Sequence, residues 1–545
     1  MTKSLFLKKS FILCSCCALF SFTLHAQVNK APVKLNLSEE MKEPNNTSLN
    51  DYIGEDDVNY YILRAKSKVG FGGYHEDYIL ESHNKKSLNV NLSKDVEVKV
   101  NGIDADVNRM LMLNQQIYGI VELYNKKQDQ HELYIQQVDK SSLQFTGTPK
   151  LLMKMPAKSK KSEGSFSEKI SRNHNNVAIF GYTGDEQNVN QRFSIAVTDD
   201  HMSVLWKKEI TLPYDSHLFV TERNYCDNDG NVYILGRLYK DVVKEKRSGS
   251  PNYVYKLLAY RDQGSSSKEY TISLKDNFIT DLSFGVTDDG KLICAGFYST
   301  KGTFSIKGTY AMQIDVQTGE VLRDGTKDFG PDFIDMFRPK EKEKAKDDKD
   351  DSKEDKKEKA PPAQELQDFD LDDVIPRSDG GALLIAEQYY TTTYTTQSYN
   401  SATHSWSYTT HILYHYNHLI AVNVNSDLRI DWAVKIPKSQ ASEGGAYYLS
   451  YAKAISGNKI YFIFNDNEKN LLETDPKKVA SYDGKSSIAT LVTLTDDGNW
   501  KKSYIFSNKD EGVILRPVVC KQMSDNQMFL YAEKGKNYIL GTVTF

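Results

Sequence analysis

Cysteine, proline and any excess of one charge are all in short supply in this chain of 545 residues. Of six cysteines, Cys14, Cys16 and Cys17 fall within the first 26 residues. The remaining three, Cys226, Cys294 and Cys520, are an odd number, far apart, each inside an apolar strand pattern. That excludes a disulfide framework and leaves buried thiols acting as small hydrophobes. Lysine plus arginine (69) nearly balance aspartate plus glutamate (73), a formal charge of −4. No broad field therefore favours nucleic acid or an anionic membrane as partner. Past the N-terminal stretch no hydrophobic run approaches the roughly 20 residues a spanning helix needs, so the mature protein is expected to be soluble or peripherally attached. Nor is there a Gly-x-Ser-x-Gly elbow, a phosphate loop, a dinucleotide fingerprint or a His-Glu-x-x-His pair. No cofactor is expected.

Residues 1–26 read as a signal peptide. Lys3, Lys8 and Lys9 form a positive start, Phe11 to Phe22 an apolar stretch, and Leu24-His25-Ala26 a cleavage point before Gln27. The alternative is lipidation at Cys16, since Leu13-Cys14-Ser15-Cys16 loosely fits a lipobox, but it lies only a few residues past Lys9.

What is abundant is tyrosine (34) and phenylalanine (23), against 14 prolines, within a composition 39% apolar. Such a chain can bury a large core, and aromatic and β-branched residues suit pleated strands. Residues 27–56, rich in Pro, Asn, Ser and Glu, read as a flexible tether. From Asn59 onward short apolar runs alternate with two series of turns. One series precedes strongly apolar strands: Asn114-Gln115, Asn173-His174-Asn175, Asp227 to Gly230, Asp288 to Gly290, Asp379 to Gly381, Ser456 to Asn458 and Ser524 to Asn526. The other closes a later hairpin: His83 to Lys85, Asp139 to Ser141, Asp199 to His201, Asp262 to Gly264, Gln317 to Gly319, Asn425 to Asp427 and Asp496 to Gly498. Asn, Asp and Gly tolerate the positive φ of tight hairpins. Two hairpins per unit make four antiparallel strands, and a small sheet of this kind buries both faces only by stacking on its neighbours. The expectation is an all-β fold, a single β-propeller over 57–545 of about seven four-stranded blades, closed by strands from both termini. Eight blades is the alternative.

Two inserts interrupt the pattern. Lys340 to Lys359 holds nine Lys and nine Asp or Glu in twenty positions, so 338–364 is expected to be a disordered charged loop between the fourth and fifth blades. Residues 389–416, dense in Tyr and Thr and without Asp, Glu, Lys or Arg, read as an extended β-arm from the fifth blade. Its aromatic groups, Tyr389, Tyr390, Tyr394, Tyr399, Trp406 and Tyr408, offer a recognition surface, or else pack on a neighbouring blade. His404, His411, His415 and His418 also fall here. On a strand His411 and His415 stand about 13 Å apart at a rise of roughly 3.3 Å per residue, too far to share an ion. Asp227-Asn228-Asp229-Gly230 is read as a turn rather than a calcium loop, so no metal site is expected. Innermost strands line the channel of a propeller, and Arg172, Glu222, Arg223, Asp281, Asp372, Asp373, Arg377 and Arg516 are the polar candidates there. They could bind a polar ligand or satisfy one another around a wet channel.

The signal ending in His-Ala-Gln and the repeated "DDG-x-L-I-x-A-x-x-Y" and "DDGNW" phrases resemble uncharacterised exported β-propeller proteins of Bacteroidota-type bacteria. The resemblance implies a periplasmic or outer-membrane surface address and no assigned activity. The C-terminal "NYILGTVTF" reads as a blade strand rather than a sorting domain. The functional expectation is a non-catalytic binding or scaffold propeller recognising an envelope protein or glycan through the funnel or the arm, with peripheral membrane association open. The alternative is a glycan hydrolase or lyase using funnel carboxylates such as Asp372 or Asp373 as general acid or base.

Overall fold

The computed structural model describes residues 30–70, 73–160, 164–183, 189–287, 290–337, 365–473, 475 and 477–545. The expected signal peptide, the charged insert 338–364, and Asp288 and Asp289 of one turn lie outside the described residues.

The second strand of each unit is the apolar one. Asn176–Tyr182 (NVAIFGY) is buried along nearly its whole length, the mark of a strand covered on both faces rather than one. It pairs antiparallel with Ser165–Ile170 and Asn190–Asp199, and the latter with Val204–Asp215. Sheets of this four-strand order recur along the chain. The first runs through Thr47–Glu55, Asn59–Gly70, Gly73–Asn84 and Val90–Asp95; the next six occupy 106–156, 165–215, 219–272, 278–328, 369–436 and 452–507. In the eighth, Ile514–Leu515 and Lys521–Ser524 lie innermost, followed by Gln527–Lys534 and Asn537–Thr544. Its outer strand is Lys34–Leu37 from the other end of the chain, paired from Lys34↔Thr544 to Leu37↔Gly541.

Eight apolar clusters sit between successive sheets and make the ring. The closing one joins Phe529, Tyr531, Tyr538 and Leu540 of the eighth sheet to Leu49, Tyr52, Tyr60 and Ile62 of the first. Each sheet thus buries both faces against its neighbours, and the protein is an all-β propeller.

The blade count is eight among the described residues, not seven, and the shift places the charged insert after the fifth blade and the arm on the sixth. The missing unit is the first: its inner strand Thr47–Glu55, like the eighth blade's outer strand Lys34–Leu37, falls in the stretch expected to be a tether. Two register shifts, between Leu49 and Asp51 and between Tyr52 and Gly54, break the period-two pattern that would mark an inner strand. Lys34–Leu37 is an edge strand with little fully buried surface.

Neighbouring blades are also tied at their rims. Trp206 on the third blade donates its indole N–H to the Gly230 carbonyl at 3.2 Å, and Trp432 on the sixth donates to Asp496 at 2.9 Å. Gly264 and Gly498, in the outer turns of the following blades, lie beneath these rings; a Cβ on either would come within 2.9 and 2.7 Å of them respectively.

Strand directions sort the loops. Both series of Asn/Asp/Gly turns fall on one face of the ring, because each joins a strand running away from the start of the innermost strand to one running back. Connections between second and third strands, and between blades, fall on the opposite face. The arm belongs there.

Candidate functional site

Five innermost strands carry a bulge at matching positions. The register shifts fall between Leu49 and Asp51, Thr221 and Arg223, Ile279 and Asp281, and Leu371 and Asp373, and in the second blade between the pairs made by Val107 and Arg109. Bulges re-aim the side chains beside them, and the residue after each is charged. Lys521 of the eighth blade contacts Asp51 of the first. Arg109 of the second bridges Asp51 at 3.1 Å and Glu168 of the third at 3.3 Å. Arg223 of the fourth lies 3.9 Å from Asp281 of the fifth and donates to the Leu371 carbonyl of the sixth at 2.7 Å. Asp373 of the sixth pairs with Lys453 of the seventh. Each blade contributes one charge, and the four cations balance four anions. This girdle satisfies itself across blade boundaries.

Asp372, the bulged residue beside Asp373, stands outside the balance. Its carboxylate accepts a 2.6 Å hydrogen bond from the Tyr451 hydroxyl. It opens to channel water but is surrounded by protein, and this desolvation, with Glu387 and Asp370 adding negative potential, raises it to about 7 despite the Tyr451 bond and nearby Lys453. Asp370 and Asp281 are also raised, mainly by burial. Burial lowers Lys453 to about 8, with Asp372 opposing the shift. An acid and an amine tuned toward neutrality, one hydrogen bond from a tyrosine, can exchange protons or bind a polar ligand.

The arm is a ladder continuing the second and third strands of the sixth blade, Ala382–Asn400 and Ser405–Val424, from Tyr389↔Tyr416 to Asn400↔Ser405. Opposite residues share a face. One face carries Tyr389 with Tyr416, Thr391 with Tyr414, Thr393 with Ile412, Gln397 with Tyr408, and Tyr399 with Trp406. Exposed on it are Tyr408 (63%), Trp406 (58%), Tyr399 (48%) and Ile412 (44%). The other face stacks Tyr390 on His415 and Tyr394 on His411, with ring centroids 4.4 and 4.7 Å apart. There Glu443 accepts from the Tyr394 hydroxyl at 2.9 Å and also pairs with His411. At the arm's root the fully buried Lys438 pairs with Glu387 and donates to the Tyr416 carbonyl at 3.0 Å and Gln440 at 2.8 Å. Ser450 closes the network on Glu387 at 2.6 Å. The arm is anchored rather than tethered.

Among the sequence candidates, Asp372, Asp373 and Arg223 come together at the channel wall. Arg377 does not: it lies at the turn end of its strand, bonded to Asn423 at 3.1 Å and near Asp379. Arg516 is buried, ion-paired with Glu533 at 3.3 Å and set over the Tyr531 and Tyr447 rings. His404 meets Tyr399 at the arm's tip, and His418 is half-buried at its root, where desolvation and neighbouring lysines lower it to about 3. Asp51, Arg109, Glu168, Lys453, Tyr451 and Lys521 were not among the sequence candidates. The repeated position of a charge three to seven residues before each inner turn is the signal that could have marked all of them but Tyr451. Among the described residues no helix is long and apolar enough to cross a membrane.

No family model and no curated protein matches this sequence. Similar solved structures include the WD40 domain of SCAP from fission yeast, with 10% identity, a TM-score of 0.36 and 94% of each chain covered. Another is the Dos1 propeller, with 8% identity and a TM-score of 0.39 over 93% of this chain and 94% of that one. Prolyl oligopeptidase B from Galerina marginata is matched at 9% identity and a TM-score of 0.36; 90% of this chain covers 55% of that enzyme. At such scores the likenesses carry little weight, and the propeller stands on its sheet order and its ring of inter-blade clusters.

Proposed function

We propose that the protein is an exported binding or scaffold propeller of the cell envelope, of the kind its signal-like start and turn phrases resemble, which recognises a protein or glycan through the arm. The observation that carries this reading is the arm's open face: Tyr399, Trp406, Tyr408 and Ile412 stand in solvent on a ladder without a single charged residue. Rings with polar tips provide contact area at low entropic cost and suit sugars or a neutral protein surface. Glycan arrays and pull-downs from envelope extracts test it. Deleting 389–416, or the double change Trp406→Ala and Tyr408→Ala, is expected to abolish binding while the ring melts as before. Binding that survives both changes overturns the arm as the interface.

A second reading is a glycan-active enzyme using Asp372 as general acid or base. It is favoured by the opposed tuning of Asp372 and Lys453. Turnover in a glycan screen, lost in Asp372→Asn, would establish it over the first reading.

A further inference from the structure

The arm leaves one backbone edge without a partner. Strand Ala382–Asn400 is flanked by Phe369–Pro376 only as far as the Phe369↔Gln388 pair, after which the Tyr389 N–H donates to the Asp368 carbonyl at 2.8 Å. Beyond that point, among the described residues, it pairs only with Ser405–Val424. Antiparallel ladders direct alternate residues' N–H and C=O groups to opposite sides. Counting on from Tyr389, those of Thr391, Thr393, Thr395, Gln397 and Tyr399 point outward, and every residue from Thr391 to Asn400 is exposed. The hairpin's other edge is partly covered, because Gln440–Ser442 pairs with Tyr414–Tyr416.

Natural sheets blunt long free edges with lysine, proline, a bulge or an inward charge. The segment from Tyr390 to Asn400, YTTTYTTQSYN, has none of these, and its register is unbroken. It is also nearly symmetric about Tyr394. Two copies laid antiparallel across a two-fold axis there would set Thr393 against Thr395, Thr392 against Thr396 and Thr391 against Gln397. In this register the outward-pointing residues of one copy meet those of the other, as ladder hydrogen bonds require. The hairpin itself supplies no Asp, Glu, Lys or Arg, and Glu443 beside Tyr394 is paired with His411 on the stacked face, so repulsion between two copies is small. Antiparallel pairing also sets the two rings at opposite ends of the joint ribbon, clear of each other.

We propose that this edge pairs with the same edge of a second copy, giving an isologous dimer built on a four-stranded antiparallel ribbon. The aromatic face stays open on both copies, so the dimer and partner recognition are independent.

Sedimentation and light scattering of the full chain across the micromolar range, with variants, test the proposal. The wild type is expected to be a dimer. Thr393→Pro removes an outward N–H that the arm's own ladder does not use, and is expected to be monomeric with unchanged melting. Should that variant melt early, Thr395→Lys, which places a charge on the edge, decides the matter and is likewise expected to be monomeric. Register is read by oxidation. Tyr394→Cys faces its own mate at a Cα separation of about 4.5 Å, within disulfide reach, and is expected to cross-link, whereas Thr392→Cys, facing Thr396, is not. A monomeric wild type, a dimer that survives Thr395→Lys, or cross-linking of Thr392→Cys in place of Tyr394→Cys overturns the proposal.

Discussion

Asp372 is the residue at which the channel's electrostatics fail to cancel. A carboxyl whose pKa rises on folding holds its proton more tightly in the native state than in the unfolded chain. Its contribution to stability is therefore full in acid and is lost as pH rises from the ordinary carboxylate range to about 7. Asp372→Asn keeps an oxygen for the Tyr451 hydroxyl and removes the titration. The variant is expected to be more stable than the wild type at pH 8, by on the order of 1–2 kcal/mol once screening by channel water is counted. At pH 4 the two should coincide. Paired thermal melts at both values check this, and an unchanged difference across pH would show that Asp372 is not strained by its surroundings. Asp373, its chain neighbour, is neutralised by Lys453, so one residue's step along a bulged strand separates a structural ion pair from a tuned acid.

The strands and turns repeat, and the repetition explains which small residues cannot change. Outer turns need a left-handed residue, and in two blades that residue lies under the preceding blade's tryptophan. Gly498 sits at φ 83° with Trp432 where its Cβ would be, while Gly457 sits at φ 56° in open space. Gly498→Ala suffers both backbone strain and a clash with a ring already fixed by its bond to Asp496, and is expected to cost about 1–3 kcal/mol. Gly457→Ala carries only the backbone part and should cost less. Urea unfolding of the two variants compares them directly; equal losses would remove the tryptophan clamp from the explanation. The arm follows the same grammar carried further, since two strands of one blade continue past the sheet and its anchoring network makes them a fixed projection.

Closure of the ring is the property of the molecule as a whole, and it rests on the chain's two ends. Lys34–Leu37 completes the eighth blade, with Val33, Leu35 and Leu37 packed against its core. Just beyond it, Glu43 pairs with the fully buried Arg64 at 2.9 Å, and Arg64 also holds Glu81 at 2.7 Å and lies over the Tyr538 ring. Deleting residues 30–42 removes those apolar side chains and uncovers the core they pack against and the edge of Asn537–Thr544, a loss of roughly 3–6 kcal/mol. A marked fall in melting temperature is expected, with Tyr538 and its neighbours losing hydrogen-exchange protection first. If the truncated chain melts like the full one, the outer strand is not what closes the ring.

The sequence alone determined the class of fold, because apolar strands and turn residues obey local rules: the Asn114-Gln115 hairpin takes positive φ at both residues, as a tight two-residue turn requires. It also marked 389–416 as a charge-free segment of strand-forming residues. It did not show the first blade's inner strand, since bulges hide the period of Thr47–Glu55, nor which residues of the N-terminal stretch complete the last blade, since Lys34–Leu37 pairs some five hundred residues away. Only the tertiary structure decided the number of blades and which charges meet. Asp51 finds Lys521 and Arg109, and Asp372 finds Tyr451, through ring closure and blade stacking, and no pattern within a strand records what the neighbouring strand will bring.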